Sequence, residues 1–284
     1  MTGKRIIDFH VHTFPDKIAK KAVNELKKAS HSHAFSSGTA DDLLRKMDEN
    51  SIETSVVLPV ASDVRQIRSI NIAAAANNIK YNGRLISAAA VHPDMEDTEE
   101  ILYSLKESGF KGVKIHPYYQ NTDFGSEKYV RILKICSKLD MFCTVHAGLD
   151  IGYPGINRCT PEMIADVIEK TGPVKLILAH MGGWKMWKEA QGLLKGSGCY
   201  VDTSFSTGSF KRIDSYWSED DARMLNKNNA LEIIEAYTPE RVLFGTDSPW
   251  TDQKESIEFI IALGLDERDR NLIFSENARR LLDI

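Results

Sequence analysis

Short runs of β-branched and apolar residues alternate along the chain with longer segments of helical periodicity, and the alternation occurs eight times. In the longer segments the apolar residues recur at three and four positions, which predicts helices with one buried face. Parallel strands need a crossover connection, usually a helix, so the pattern predicts a parallel sheet. The predicted strands span residues 5–9, 54–60, 85–91, 112–116, 142–146, 175–180, 199–203 and 241–245, and the predicted helices residues 43–50, 67–78, 99–108, 129–139, 161–170, 184–194, 229–237 and 256–263.

The predicted strands are almost continuously apolar, as at residues 56–58 and 176–178, which is typical of strands covered on both faces. A closed barrel of eight strand–helix units typically needs about 250 residues. The length of 284 residues therefore predicts one α/β domain over residues 1–284, a (β/α)8 TIM barrel with an extra C-terminal helix near 268–282. An open doubly wound sheet is the alternative. It usually carries a glycine-rich phosphate loop after its first strand, which residues 8–12 do not form.

Charge and composition exclude several classes of function. The 36 Lys and Arg residues against 40 Asp and Glu give a formal charge of −4 without a long run of one sign, so nothing indicates nucleic-acid binding. No apolar stretch approaches the roughly 18 residues of a membrane span, and the N-terminus lacks the apolar core of a signal peptide. We therefore expect a cytoplasmic protein that acts on a small-molecule substrate, without a membrane partner; a homo-oligomer is left open. The four cysteines lack CxxC spacing and are expected to be reduced.

Polar residues close several of the apolar strands, all at the same end. In a barrel of this type the active site lies at the carboxyl ends of the strands. His10 and His12 are two residues apart on the first strand, so both side chains project to one face and can chelate a cation. The strand-closing residues are His10, His12, Lys114, His116, His146, His180 and Asp247.

Four of these residues form a ligand set for one metal ion. A divalent cation such as zinc binds imidazole nitrogen and carboxylate oxygen, and a catalytic site keeps one position open for water. Such a cation can lower the pKa of bound water to about 7 and polarise a carbonyl group. We predict one divalent metal ion, zinc or alternatively manganese, and no second one. The predicted metal ligands are His10, His12, His146 and Asp247.

Five segments of the sequence resemble the motifs of the amidohydrolase superfamily, most closely its amidohydrolase-2, or aminocarboxymuconate-semialdehyde-decarboxylase-like, branch. The resemblance implies that His10, His12, His146 and Asp247 bind the metal, and that His180 lies beside the metal-bound water as an acid or base. It extends over nearly the whole chain, because residues 275–282 also resemble the closing helix of that branch. The five segments are 8–12, 112–117, 145–148, 179–183 and 245–249.

Asp247, His180 and Lys114 are expected to have different roles in catalysis. A carboxylate that touches both metal and water can take a proton and pass it to a leaving group, which is the role expected of Asp247. His180 is expected to stabilise an oxyanion or exchange a proton. Lys114 has three interpretations: a carboxylated bridge between two metals, an ammonium that binds a substrate carboxylate, or a structural ion pair. We favour substrate binding, because the closest branch is usually described as having one metal. His116 either lines the pocket or shapes the loop at Pro117.

Three functions are compatible with these residues. The first is a hydrolase that cuts an amide, ester or lactone bond with an activated water. The second is a non-oxidative decarboxylase, or a hydratase, of a small unsaturated acid, and the third is a metal-binding scaffold without activity. A decarboxylase needs a cationic clamp for its carboxylate. The sequence offers Lys114, Arg158 and Arg212 but places none of them beside the metal, so the hydrolase is the preferred prediction.

Overall fold

The computed structural model describes residues 6–208 and 210–284. Residue 5, where the first predicted strand begins, lies outside the described residues. The strands are β1 (Ile6–Val11), β2 (Ile52–Val57), β3 (Leu85–Ser87), β4 (Ala89–Ala90), β5 (Gly112–Ile115), β6 (Phe142–Val145), β7 (Lys175–Leu178), β8 (Tyr200–Asp202) and β9 (Val242–Leu243). The helices are α1 (Asp16–Ser30), α2 (Ala40–Glu49), α3 (Ile67–Tyr81), α4 (Thr98–Glu107), α5 (Glu127–Lys138), α6 (Pro161–Thr171), α7 (Trp187–Leu194), α8 (Lys227–Tyr237), α9 (Gln253–Ile261), α10 (Glu267–Asn271) and α11 (Asn277–Leu282).

The strands form a closed parallel barrel. Each strand from β1 to β3, and from β4 to β9, pairs in parallel with the next one. β3 and β4 are separated only by Ala88, whose N–H donates to the carbonyl of Val57 at 2.9 Å, so they make up one barrel strand. The last strand returns to the first, because the N–H of Phe9 donates to the carbonyl of Phe244 at 2.7 Å. The predicted (β/α)8 barrel is therefore confirmed, and the open sheet is excluded.

The amino end of the barrel is filled with apolar side chains and covered by the C-terminal segment. Ile7 and Phe9 of β1 are completely buried, and the Phe9 ring packs edge-on against Phe142 with ring centroids 5.2 Å apart. Full burial of each such side chain stabilises the fold by about 1.5–3 kcal/mol. The same cluster contains Ala278, Leu281 and Leu282 of α11. The extra helix predicted near 268–282 is present as α10, a π-helical turn at Leu272–Glu276 and α11.

Two loop segments contact each other at the carboxyl end. One is residues 29–39, which begin in the last turn of α1, and the other lies in the described residues 204–208 and 210–221. Ser32 and Arg212 form an antiparallel bridge, and the indole N–H of Trp217 donates to the carbonyl of Ser30 at 2.8 Å. Helix α1 itself is not among the predicted helices.

Other sequence predictions concern cysteines and membranes. The four cysteines are all buried and unpaired, as expected for reduced thiols. Among the described residues, none of the helices combines the length and apolar character needed to cross a lipid bilayer.

Candidate metal centre and active site

His10, His12 and Asp247 are brought together by the pairing of the last barrel strand with the first. The N–H of Asp247 donates to the carbonyl of His10, and the N–H of His12 donates to the carbonyl of Ser248, both at 2.7 Å. The strands approach closely because residue 245 is glycine, where a Cβ would lie 2.9 Å from the Cβ of His10. Asp247 adopts a left-handed backbone with φ 62°, a strained conformation that is often found at functional sites.

The side chains of these three residues converge on one point. Nε2 of His12 lies 3.3 Å from Nε2 of His10 and 3.0 Å from Oδ1 of Asp247. Nε2 of His10 lies 3.5 Å from the same Oδ1. Ligand atoms in a tetrahedral site with bonds of roughly 2.0–2.1 Å are about 3.3–3.4 Å apart. The three atoms therefore have the spacing of ligands around one small divalent cation.

The hydrogen bonds on the far side of each ring determine which nitrogen is free. Nδ1 of His12 lies 2.9 Å from the carbonyl of Leu58, and Nδ1 of His10 lies 2.8 Å from a carboxylate oxygen of Asp202. Both partners can only accept, so in the neutral rings the protons are on Nδ1 and both Nε2 atoms carry lone pairs. Two lone pairs beside the Asp247 carboxylate form an electron-rich group, which fits a bound cation.

His146 and His180 lie beside this group rather than within it. Nδ1 of His146 is 3.0 Å from Nε2 of His180, and the rings of His180 and His10 have centroids 5.3 Å apart. Nδ1 of His180 lies 3.0 Å from the carbonyl of Ser204, and Nε2 of His146 lies 3.0 Å from that of Leu149. These carbonyls hold the ring protons, so the two nitrogens that face each other are again both acceptors.

Lys114 is buried at the centre of the site. Its side chain on β5 is only 1% exposed, and Nζ lies 3.4 Å from Nε2 of His10. Burial lowers the pKa of Lys114 to about 8, although the nearby carboxylates of Asp202 and Asp247 favour the charged form. The ammonium form therefore still predominates at neutral pH.

A second cluster lies on the other side of His146. The ring of His116 is stacked between Tyr119, with centroids 3.9 Å apart, and His146, with centroids 4.3 Å apart. Oδ2 of Asp150 lies 3.4 Å from Nε2 of His146 and 3.6 Å from Nε2 of His116. The sequence left two roles open for His116, lining the pocket or shaping the loop at Pro117. The structure buries its ring among ionisable groups.

Burial is the main cause of the pKa shifts in both clusters. It lowers the pKa of His10 and His180 well below the usual value, and that of His146 to about 3, with the charge of Lys114 adding to the effect. The carboxyl of Asp247 has a raised pKa for the same reason. The imidazoles of His10, His146 and His180 are therefore neutral at physiological pH, which is the form that binds metal ions.

The sequence model of a family described as amidohydrolase matches residues 7–284. The chain belongs to the amidohydrolase family. No protein of curated function matches it.

Solved structures that share the fold of this amidohydrolase are distant in sequence. An uncharacterised TIM-barrel protein from Bordetella bronchiseptica is 16% identical over 98% of both chains, with a TM-score of 0.76. Dihydroxybenzoic acid decarboxylase from Polaromonas sp. JS666, with bound manganese and the inhibitor 2-nitroresorcinol, is 17% identical over 99% of this chain and 97% of its own (TM-score 0.68). A Pseudomonas putida protein assigned as a 2-pyrone-4,6-dicarboxylic acid hydrolase is 17% identical over 99% and 98% (TM-score 0.65).

Several residues that organise the candidate site were not identified from the sequence. Asp202 closes β8 as the predicted ligands close their strands, so the signal was present but was not used. Its Oδ1 accepts hydrogen bonds from the N–H groups of His180 and Ser204 at 3.0 and 3.1 Å. Asp8 accepts from the N–H and hydroxyl of Thr246 at 2.9 and 2.6 Å, and burial raises its pKa to about 7.

Proposed function

We propose that the chain is a metal-dependent, non-oxidative decarboxylase of a small unsaturated or aromatic carboxylic acid. The observation that carries the proposal is the position of Lys114, buried with Nζ 3.4 Å from a proposed ligand nitrogen of His10. An ammonium at this place can bind the carboxylate of an acid substrate next to the metal ion. The sequence alone could not place such a clamp, which is why it favoured hydrolysis.

The two arginines that compete for the clamp role are engaged elsewhere. Nη1 of Arg158 lies 2.9 Å from Oδ1 of Asp123, in an ion pair that is partly exposed. Nη1 of Arg212 donates to the carbonyl of Trp217 at 2.8 Å, and Nη2 of Arg212 lies 3.6 Å from Oε1 of Glu219. Of the three cations considered from the sequence, only Lys114 lies at the proposed centre.

The comparisons support the same choice between the two reactions. Decarboxylases of hydroxylated aromatic acids recur among the solved structures with this fold, at 13–19% identity. At such identity a shared fold does not fix the reaction. The buried lysine therefore remains the main support, and the comparisons add to it.

The proposed metal ligands are the clustered atoms of His10, His12 and Asp247, and as a fourth Nδ1 of His146, which lies outside that cluster and faces His180. A divalent cation held there would supply a Lewis acid that polarises a substrate oxygen. His12, with a side chain 18% exposed, is the most accessible of the ligands from solvent. Asp202 and the carbonyl of Leu58 fix the His10 and His12 rings in the tautomers that expose Nε2.

The reaction needs a carboxylate clamp and a proton donor. Lys114 orients the substrate carboxylate, and we assign the proton to the carboxyl group of Asp247. The proton passes to the substrate carbon, the bond between that carbon and the carboxylate carbon breaks, and its electron pair restores the π system as carbon dioxide leaves. Nε2 of His180 carries no proton while Nδ1 donates to Ser204, so His180 acts as an acceptor.

Hydrolysis is the second candidate, and it is favoured by the position of Asp247. Its Oδ1 lies 3.0 Å from Nε2 of His12, where a carboxylate can take the proton of an attacking water. The Pseudomonas putida hydrolase assignment shows that proteins with this fold are also linked to hydrolysis.

The test follows both products in one screen. Protein loaded with zinc or with manganese is incubated with lactones, amides and carboxyl-labelled unsaturated and aromatic acids, and labelled carbon dioxide is measured separately from released acid. We expect carbon dioxide, and we expect Lys114→Met to reduce its release by about 10- to 100-fold, the value of a charge-assisted hydrogen bond of 1.5–3 kcal/mol. The control is Lys111→Met, because Lys111 is paired with Asp283 at the surface. Acid release without carbon dioxide would establish hydrolysis instead.

A further inference from the structure

His116, His146 and Asp150 form a buried cluster that the proposed reaction does not use in full. The three residues are 6%, 9% and 5% exposed. Each residue offers one ligand atom, and these atoms lie close enough together to share one ion. The three residues follow the ends of β5 and β6, so the cluster lies at the same end of the barrel as the proposed catalytic centre. His146 belongs to both, and His116 and Asp150 lie on the side of its ring that faces away from His180.

The spacing of the ligand atoms matches a small cation. Oδ2 of Asp150 is 3.4 Å from Nε2 of His146 and 3.6 Å from Nε2 of His116. These separations are close to the roughly 3.3–3.4 Å expected between ligands in a tetrahedral site. They are too long for hydrogen bonds, so a direct bond between the carboxylate and either ring does not explain the convergence.

His116 also has an unexplained nitrogen. Nδ1 of this buried ring has no hydrogen-bond partner among the described residues. Stacking against Tyr119 and His146, rather than hydrogen bonding, holds the ring in place. Nε2 of the same ring faces the Asp150 carboxylate at 3.6 Å, and a cation between these two buried groups would satisfy both of them.

We propose that His116, His146 and Asp150 bind a second divalent cation. Two imidazole nitrogens and one carboxylate oxygen suit zinc or cobalt better than magnesium or calcium, which prefer oxygen ligands only. The carbonyl of Leu149, 3.0 Å from Nε2 of His146, is available as a further oxygen ligand.

Binding of this second cation changes the tautomer of His146. Nε2 of His146 holds the ring proton toward the carbonyl of Leu149, so an ion bound at Nε2 would require the tautomer with the proton on Nδ1, which can donate it to Nε2 of His180 at 3.0 Å. A neutral ring cannot then offer Nδ1 to the catalytic metal. Excess divalent metal is therefore expected to inhibit the enzyme; this consequence rests on the proposed function, whereas the binding does not.

The experiment counts metal ions on the full-length chain. Metal-free protein is dialysed against increasing zinc, bound equivalents are measured by elemental analysis, and cobalt absorption reports the coordination of each equivalent. We expect a tight and a weaker equivalent. His10→Ala should remove the first, while Asp150→Asn and His116→Gln should each weaken the second by at least about 100-fold, since changes even to groups that only support ligands cost 10- to 100-fold. The control is His31→Gln, a histidine paired with Asp214 far from the cluster.

Several outcomes would overturn the proposal. One is saturation of the unmodified protein at a single equivalent of zinc. Another is a second equivalent of zinc that still binds to both Asp150→Asn and His116→Gln. Loss of the second equivalent in Lys114→Met but not in Asp150→Asn would assign it to a site at Lys114 instead. His116→Gln provides an independent reading if Asp150→Asn does not fold. The metal count is readable even if no decarboxylation is found, and relief of zinc inhibition in His116→Gln would connect the site to activity.

Discussion

The carboxyl and amino ends of the barrel bury residues of opposite character. At the carboxyl end imidazoles and carboxylates are buried within hydrogen-bonding distance of each other, whereas at the amino end Ile7 and Phe9 meet the apolar face of α11. Burial of polar groups is costly unless they are paired, so stability at the carboxyl end depends on its hydrogen bonds, whereas at the amino end it depends on apolar packing. The proposed function assigns binding and catalysis to the carboxyl end, as is usual for such barrels. Variants at the two ends should therefore fail in different ways.

The largest effect is expected when a proposed metal ligand is removed. His10→Ala and His12→Ala each take one nitrogen from the three-residue group, so metal and activity should be lost together, with metal affinity falling by more than about 100-fold. His180→Asn should keep most of the metal and lose rate. Elemental analysis and turnover are measured on the same samples, and equal metal loss in all three variants would place His180 among the ligands.

Replacement of Asp247 by Asn separates its two proposed roles. The amide keeps the shape and one oxygen toward the metal but cannot carry the proton. Turnover should fall by about 100- to 10,000-fold, the usual contribution of general acid–base catalysis, with metal largely retained. The measurement is the turnover rate at saturating metal beside the metal content. Near-normal turnover would show that the proton comes from a group other than Asp247.

Part of the candidate site could be predicted from the sequence, because one simple rule applies to strand ends. Residues that close apolar strands meet at the carboxyl end of a parallel barrel, and this rule predicts from the sequence that His10, His12 and Asp247 lie together. It could also have found Asp202, which closes the short strand β8. Asp150 lies four residues after His146 in a loop without periodicity, so the sequence pattern does not predict that its carboxylate turns back toward the ring.

Helix α1 carried a signal that was missed. Its apolar residues Ala19, Ala22, Val23 and Leu26 recur at three and four positions, which is the pattern of a helix with one buried face, and Ala19 and Val23 are indeed buried. The sequence was therefore sufficient to predict this helix, although Pro15 at its N-cap position makes no capping hydrogen bond.

At the amino end, truncation of an apolar side chain should change stability alone. Leu281 is 5% exposed and belongs to the cluster with Ile7 and Phe9. Leu281→Ala should lower the free energy of unfolding by about 2–5 kcal/mol, as for other buried leucines. Metal content and turnover per folded molecule should stay unchanged. Denaturant unfolding and elemental analysis test the prediction, and loss of metal in the folded variant would show that the two ends are coupled.

The smallest effect is expected from a carboxylate at the carboxyl end that has only a structural role. Asp252 lies five residues after Asp247, and its Oδ1 accepts hydrogen bonds from the N–H groups of Lys254 and Glu255 at 2.9 and 3.1 Å, which caps α9. Asp252→Ala should therefore cost about 0.5–2 kcal/mol of stability without changing metal content or turnover. Asp252→Asn should restore the stability, since asparagine caps helices as well as aspartate does.

Replacement of Asp247 by Asn should instead abolish most activity, because a cap needs an oxygen acceptor whereas proton transfer needs an ionisable carboxyl. Unfolding curves and turnover of the four variants Asp252→Ala, Asp252→Asn, Asp247→Asn and Asp247→Ala measure this contrast. A loss of turnover in Asp252→Ala as large as that in Asp247→Asn would show that Asp252 also takes part in catalysis and is not only a helix cap.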